Sequence, residues 1–588
     1  MKLSRLNVLP TSRTMVDVFK GYNHNLRIGE SEFYDMTNLS SDNYPTLSPR
    51  PKRGVYASSV TPLGLVAKDS LCYVDGNLFF INEYAISLVP LTNIEQRTLI
   101  SMGSYVIIMP DKIWVNTVRK EGKEGTWNGF EHGNIEASVT TTSTATFSLC
   151  KYDGEECQVT FIQEAAPNDA GHMMFWLDTS SEPHTLKQYY ADKKEWVSIA
   201  TTYIKIHATG IGIPFSEGDG VTISGIEDPD LADLNSTMVI QKVDPNYIVV
   251  KGIIDKVVSQ ASGVTVSRKM PNMDFIIESG NRLWGCRYGT DVNGNVVNEI
   301  YASKLGDFKN WNCFDGISTD SYTVSVGSDG PFTGAINYLG HPIFFKENCL
   351  HKVYGNYPAQ YQVQDTQCRG VQKGCDRSLA IVNEILYYKA RSGVCVYDGS
   401  LPTEISQAFG DKSYHRAVAG SLGNKYYISM ADDNETWHLF VYDSLKGMWH
   451  REDDTRAEAF CNCRGDLYYI DYATRQIKTV RGTGVTESAP IEWQAVSGII
   501  GTDSPDKKYI SRIDVRMLLQ PGSRVMFFAE YDSSGKWEHL YSADGVNLKT
   551  FAVPVKTKRC DHMRLKIIGK GDAQIFSICK TIEQGSDR

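Results

Sequence analysis

The residues in this 588-residue chain that could do chemistry are, first, three acidic doublets: Glu155-Glu156, Asp432-Asp433 and Asp453-Asp454. Two carboxylates about 5–9.5 Å apart can cleave a glycosidic bond, one as acid and the other as nucleophile or base. Adjacent residues on a strand point to opposite faces, so no doublet reaches that geometry unaided. Asp432-Asp433-Asn434 falls where a hairpin tip is expected, and these carboxylates are read as solvated turn residues. The loop Asp291-Val292-Asn293-Gly294-Asn295 opens like a calcium loop, but the twelfth position, where a bidentate Glu is needed, is Ala302. A hairpin turn is the better reading. The 12 histidines are dispersed, the nearest pairs being His172 with His184 and His438 with His450. No HExxH, GxSxG, phosphate-binding P-loop or helix-opening GxGxxG occurs, and GTGVT at 482–486 is a linker. No catalytic, cofactor-binding or metal-binding residue is assigned, and the chain is expected not to be an enzyme.

Composition narrows the classes further. The formal net charge of −9 is unlike that of a protein that grips nucleic acid through a basic patch. The 13 cysteines are an odd, scattered set without a CxxC pair, so reduced thiols in cores and turns are expected. Cys461 and Cys463, the closest two, would share one face of a strand. The N-terminal stretch lacks the continuous apolar run of a signal peptide, and runs such as Tyr105–Met109 are strand-sized, far short of the ~18 residues of a membrane span.

The elements that must position any site are strands. Asp-Gly and Asn-Gly pairs recur along the chain, among them Asp75-Gly76, Asn293-Gly294, Asp398-Gly399 and Asp544-Gly545, and such pairs supply the backbone of tight hairpins. Between residues 275 and 480 a polar turn followed by two apolar-aromatic strands returns every roughly 40–60 residues, the period of propeller blades. GHPIFFKENCLHKVYG (340–355), NEILYYKARSGVCVYDG (383–399) and GDLYYIDYATRQIKTV (465–480) are such copies, and weaker ones stand at 75–89 and 103–118. Trp449, in YDSLKGMWHRED (442–453), is expected to pack between blades. The fold class expected is all-β: a β-propeller split by an inserted small β-barrel or sandwich, a C-terminal β-sandwich and an extended N-terminal arm. The corresponding segments are 1–55 for the arm, 56–124 for the first blades, 125–268 for the insertion, 269–485 for the main blades and 486–588 for an independent C-terminal sandwich.

Three segments resemble a known family. FKGYNHNLRIGESEFYDMTNLSSDNYPTLSPRPKR (19–53), residues 298–364 and RCDHMRLKIIGKGDAQIFSICKTIEQGSD (559–587) are similar to the tail nozzle, or packaged-DNA stabilisation, proteins of short-tailed phages and of prophages of Gram-positive bacteria. The resemblance implies a virion tail protein assembled in the host cytoplasm. It implies a homo-hexameric ring below the portal and adaptor that continues the DNA exit channel, retains packaged DNA and anchors fibres, spike or plug. Double-stranded DNA would pass through the lumen without specific contacts. The family carries no catalytic residues to transfer. By position in the arm, Phe19, Tyr22, Asn38 and Tyr44 are candidates for inter-subunit or adaptor docking, with anchoring of the arm to its own subunit as the competing role. Two other functions fit the same composition: a receptor- or glycan-binding tail protein using Trp127, Trp176 and Trp196, and a propeller glycan hydrolase with carboxylates converging at its axis.

Overall fold

The computed structural model describes residues 11–82, 84–88, 96–121, 127–502, 506–555 and 558–584. The fold is all-β: a propeller, an inserted barrel, a C-terminal sandwich and an N-terminal arm. No helix among the described residues is long and apolar enough to cross a membrane. Four-stranded meanders occupy 62–87, 98–134, 275–325, 334–367, 380–404 and 414–451, and a further one runs through 457–479 and takes its fourth strand, Gly54–Ser58, from the arm's end. Tight turns make this possible. Asp75 pairs with Leu78 across a turn that holds Gly76 at φ +59, a conformation that costs glycine nothing.

The chain divides into two compact units, residues 1–99, 344–350 and 365–588 in one, 100–343 and 351–364 in the other. In the first, the leading strands Ala380–Val382, Tyr414–Leu422, Ala457–Cys463 and Pro62–Ala67 pack side by side in that order. Leu422, Tyr427, Leu439 and Val441 of one meander close on Leu467, Tyr469 and Val480 of the next, while Leu65 and Leu71 close on Tyr468, Ile470 and Ile477. A blade cannot bury both faces alone, so its middle strands are apolar on both sides: six successive residues of Lys425–Asp432 are buried. Trp449 reaches out of its own meander, donating from Nε1 to Ile405 O at 2.8 Å and packing on Phe409.

In the second unit, Ile107, Met109 and Trp114 share a core with Ile276, Leu283, Phe308 and Trp311. The strand Trp127–Asn134 pairs with Ile113–Glu121, so the meander continues past residue 125 and the insertion's own strands begin at Ala137. The insertion is an eight-stranded sheet, from Ala137–Thr140 to Thr265–Arg268, filled by Phe147, Ile204, Ile206, Ile223, Ile248 and Val266. A small four-stranded sheet spanning 159–198 is embedded in it.

The C-terminal sandwich differs from the independent domain expected. The long strand Lys508–Tyr531 pairs with Ala573–Gln584 along its first half, with Met563–Lys570 along its second and with Glu538–Val553 on its other edge. Two of the remaining edges are closed by the arm: Thr11–Val16 pairs with Ala573–Gln584, and Glu32–Thr37 pairs with Glu492–Ser497. Gly21–Tyr22 then bridges Glu32–Thr37 to Met448–Arg451 of a propeller meander. One sheet thus runs from the blade through the arm into the sandwich. Open edges expose unpaired backbone donors and acceptors, and the arm supplies their partners.

Candidate functional site

Because the arm joins blade and sandwich, the junction it makes is the place where the candidate residues can be tested. Its first stretch is anchored by apolar side chains. Phe19, Phe33, Met36, Leu39 and Leu47 are all buried, each contributing about 1.5–3 kcal/mol by leaving water. Phe19 stacks on Phe33 with ring centroids 5.9 Å apart. Tyr22, 3% exposed, sits against Phe440 at 5.5 Å and Phe409 at 6.3 Å, and burial pushes its hydroxyl pKa far up. The preceding Gly21, at φ +83, lies so close to the blade that a Cβ would stand 2.3 Å from Trp449 O.

Asn38 is a three-way connector in the left-handed region at φ +55. Its Nδ2 donates to Glu492 O at 2.8 Å in the sandwich, its backbone N–H donates to Glu452 O in the blade, and its Oδ1 accepts from Arg50 Nε at 2.8 Å in the arm. Tyr44 is 41% exposed, with the Lys446 ammonium 5.6 Å from its ring centroid. Of the four residues nominated for docking, Phe19 and Tyr22 are in the chain's own core, Asn38 ties three of its own segments together, and Tyr44 alone presents a surface.

An ion network completes the junction, and no spacing along the chain announces its pairing. Arg53 Nη2 meets Glu452 at 2.7 Å, Arg53 Nη1 meets Asp453 at 2.7 Å and Thr455 Oγ1 at 2.8 Å, and Tyr469 lies 5.7 Å beneath the guanidinium. Arg50 adds Glu487 at 3.2 Å. Burial works against charge on Arg53, but Asp453, Tyr469 and Glu452 outweigh it and raise its pKa. Burial likewise opposes the charge on Asp453, while Arg53, Thr455 and Arg50 bring its pKa below the ordinary value. Asp453, expected as a solvated turn residue, is therefore a half-buried partner of Arg53, beside the fully buried Glu452. A charge removed from water needs such partners, and only the fold brings residues 53 and 453 together.

The other candidates resolve into turns and packed clusters. Asp432 accepts from the backbone N–H groups of Asn434 and Thr436 at 2.9 and 3.0 Å, as a hairpin residue should. His438 Nε2 lies 3.2 Å from Asp432, and Arg451 Nε donates to His438 Nδ1 at 3.2 Å, so both ring nitrogens have protein partners. Arg451 also reaches Asp35 of the arm at 3.4 Å. His450 is enclosed, and burial, followed by the nearby Lys425 ammonium, drives its pKa down to about 3. Asp291 closes its loop by accepting from Asn293 N and Asn295 N, both at 2.8 Å, between the paired strands Arg282–Thr290 and Val296–Ala302. Among the described residues no group of three His, Cys, Asp or Glu side chains is placed to hold a metal ion. Trp176 is buried under Lys187, whose ammonium is 4.6 Å from the ring, and packs on Trp196 at 5.5 Å. The side chain of Trp127 lies outside the described residues.

No family model matches the chain, and no curated protein matches it. Solved structures that match include an exo-β-1,3-galactanase from Phanerochaete chrysosporium, 9% identical, covering 52% of this chain and 94% of its own, with a TM-score of 0.21. A glycoside hydrolase family 43 arabinoxylan arabinofuranohydrolase from Bacillus subtilis is 8% identical over 52% of this chain and 94% of its own, with a TM-score of 0.18. The endosialidase of phage phi92 is 9% identical over 77% of this chain and 69% of its own, with a TM-score of 0.21. These neighbours correct one expectation. The expectation that the chain is not an enzyme is withdrawn, because the structures just named are glycoside hydrolases and an endosialidase.

Proposed function

We propose that the chain is a structural protein of a phage tail, a nozzle subunit whose ring continues the DNA exit channel below portal and adaptor. The observation that carries this reading is the single sheet that welds a propeller blade, the N-terminal arm and the C-terminal sandwich. A wall element loaded by passing DNA gains from such continuity, because pulling the sandwich away requires breaking backbone ladders and the Arg53 ion network together. Charge supports it as well: six copies at −9 each carry −54 formal charges, and any share lining a lumen repels phosphates. Tyr44 is, of the four nominated arm residues, the exposed one and so is available to a neighbouring subunit or adaptor. Fibres, spike or plug would attach to the same ring.

Negative-stain imaging of the purified protein, alone and with its adaptor, tests this directly. Six-fold rings are expected. A particle that stays monomeric in both samples would sink the nozzle reading, and cleavage of host polysaccharide by the purified protein would replace it with a glycan hydrolase.

A further inference from the structure

The outer face of the sheet formed by Thr11–Val16, Ala573–Gln584 and the first half of Lys508–Tyr531 carries a groove of about 430 Å3. Arg13, Arg512, Asp514, Arg516, Thr550 and Cys579 line it. The backbone places them there. Arg512, Asp514 and Arg516 alternate along one strand and so share a face, and Arg13, Thr581 and Arg512 stand in register across three adjacent strands.

Two guanidinium groups, those of Arg13 and Arg512, hold one carboxylate, and a third, Arg516, lines the same groove. Asp514, 7% exposed, accepts from Arg512 Nε at 2.9 Å through both oxygens and from Arg13 Nη2 at 3.2 Å. Arg13 Nε donates to Cys579 Sγ at 3.1 Å, and Arg516 Nε donates to Thr550 Oγ1 at 3.2 Å. The terminal nitrogens of Arg512 and Arg516 have no hydrogen-bond acceptor among the described residues. The side chains of Arg13 and Arg512 are 64% and 61% exposed, so their forks face solvent. On an acidic chain the groove holds two more positive charges than negative ones. Planar guanidinium forks match tetrahedral oxyanions and hold them through paired charge-assisted hydrogen bonds.

We propose that this groove binds phosphate, held by the forks of Arg512 and Arg516 with Arg13 closing the site, either as free phosphate or as the phosphodiester of a nucleic acid. The inference stands on the groove alone and does not depend on the nozzle reading.

The test uses the full chain, its Arg512→Gln/Arg516→Gln double variant and, as an off-site control, Arg524→Gln on the same strand. Thermal unfolding is followed in sodium phosphate against sodium chloride at equal ionic strength, and a fluorescent duplex DNA is titrated at low salt. Phosphate should raise the unfolding midpoint of the parent chain and of Arg524→Gln but not of the double variant. If duplex DNA also binds the parent at least fivefold tighter than the double variant, with a salt slope larger by about 2, the phosphodiester is the ligand. If inorganic phosphate acts and DNA does not, the ligand is free phosphate. Asp514→Asn removes the internal competitor and should tighten phosphate binding. Equal responses of parent and double variant to both probes would overturn the site, as would weaker phosphate binding by a folded Asp514→Asn.

Discussion

In the inserted barrel all eight strands come from residues 137–268, and its core is filled from the same stretch. In the C-terminal sheet, Thr11 pairs with Glu583 and Phe33 with Ser497, so strands from opposite ends of the chain complete one another. The barrel carries its own edges and core; the sandwich takes edge strands and part of its core from the arm. Local sequence is therefore enough to specify the first, whereas the second exists only after a long loop has closed, at an entropic cost that its buried side chains must exceed.

The sharpest way to break this contrast is to remove the borrowed strands. Deleting residues 11–53 strips Phe19, Tyr22, Phe33, Met36, Leu39 and Leu47 from the core, and the C-terminal segment should become fully susceptible to limited proteolysis. The excised segment 136–269 should fold by itself with a cooperative thermal transition. A protease-resistant C-terminal core in the deletion variant would show the borrowing to be dispensable.

Next in size is Arg53→Ala. It leaves the buried Glu452 and the half-buried Asp453 without their cation, and a loss of about 3–5 kcal/mol in chemical denaturation is expected. Gly21→Ala should cost about 2–3 kcal/mol, through the positive φ and the collision of its Cβ with Trp449 O. Neither substitution should change the protease resistance of residues 136–269 within the full chain.

The last effect is one of pH. Burial lowers the pKa of His24, His438 and His450, the last to about 3, so the folded state takes up protons on them less readily than the unfolded chain does. Stability should fall as pH drops below about 6.5, by up to about 1.4 kcal/mol per unit for each histidine that resists protonation. Carboxylates with lowered pKa, such as Asp42, Asp443, Asp453 and Glu487, add their loss only at lower pH, near the ordinary carboxylate range. Denaturation midpoints between pH 5 and 6.5 isolate the histidines, and His450→Gln should flatten the slope there. An unchanged slope would mean His450 protonates freely.

The blades were legible because each is a run of hairpins: alternating apolar strands and turn pairs such as Asp75-Gly76 encode them within about forty residues. The barrel was legible for the same reason, although its start was read some ten residues early. Trp127–Asn134 has the polar look of a linker, and only its pairing with Ile113–Glu121 places it in the blade. The extended arm was legible too, but the surfaces it fills were not. Beyond the Phe19–Phe33 stack, its apolar residues pack on partners several hundred positions away, as Tyr22 does on Phe440.

By itself, then, the sequence determined the β class, the repeating hairpins and the turn chemistry, because these depend on neighbours a few residues apart. Asp432 and Asp291 were placed correctly as turn residues on that basis. Tertiary structure alone decided that Arg53 pairs with the buried Glu452 and the half-buried Asp453, and that Asn38 ties three segments together. It also decided that Arg13 stands beside Arg512 over one carboxylate. Charges and hydrogen-bond donors find partners wherever strand register delivers them, and no spacing along the chain encodes a register set by strands from its opposite ends.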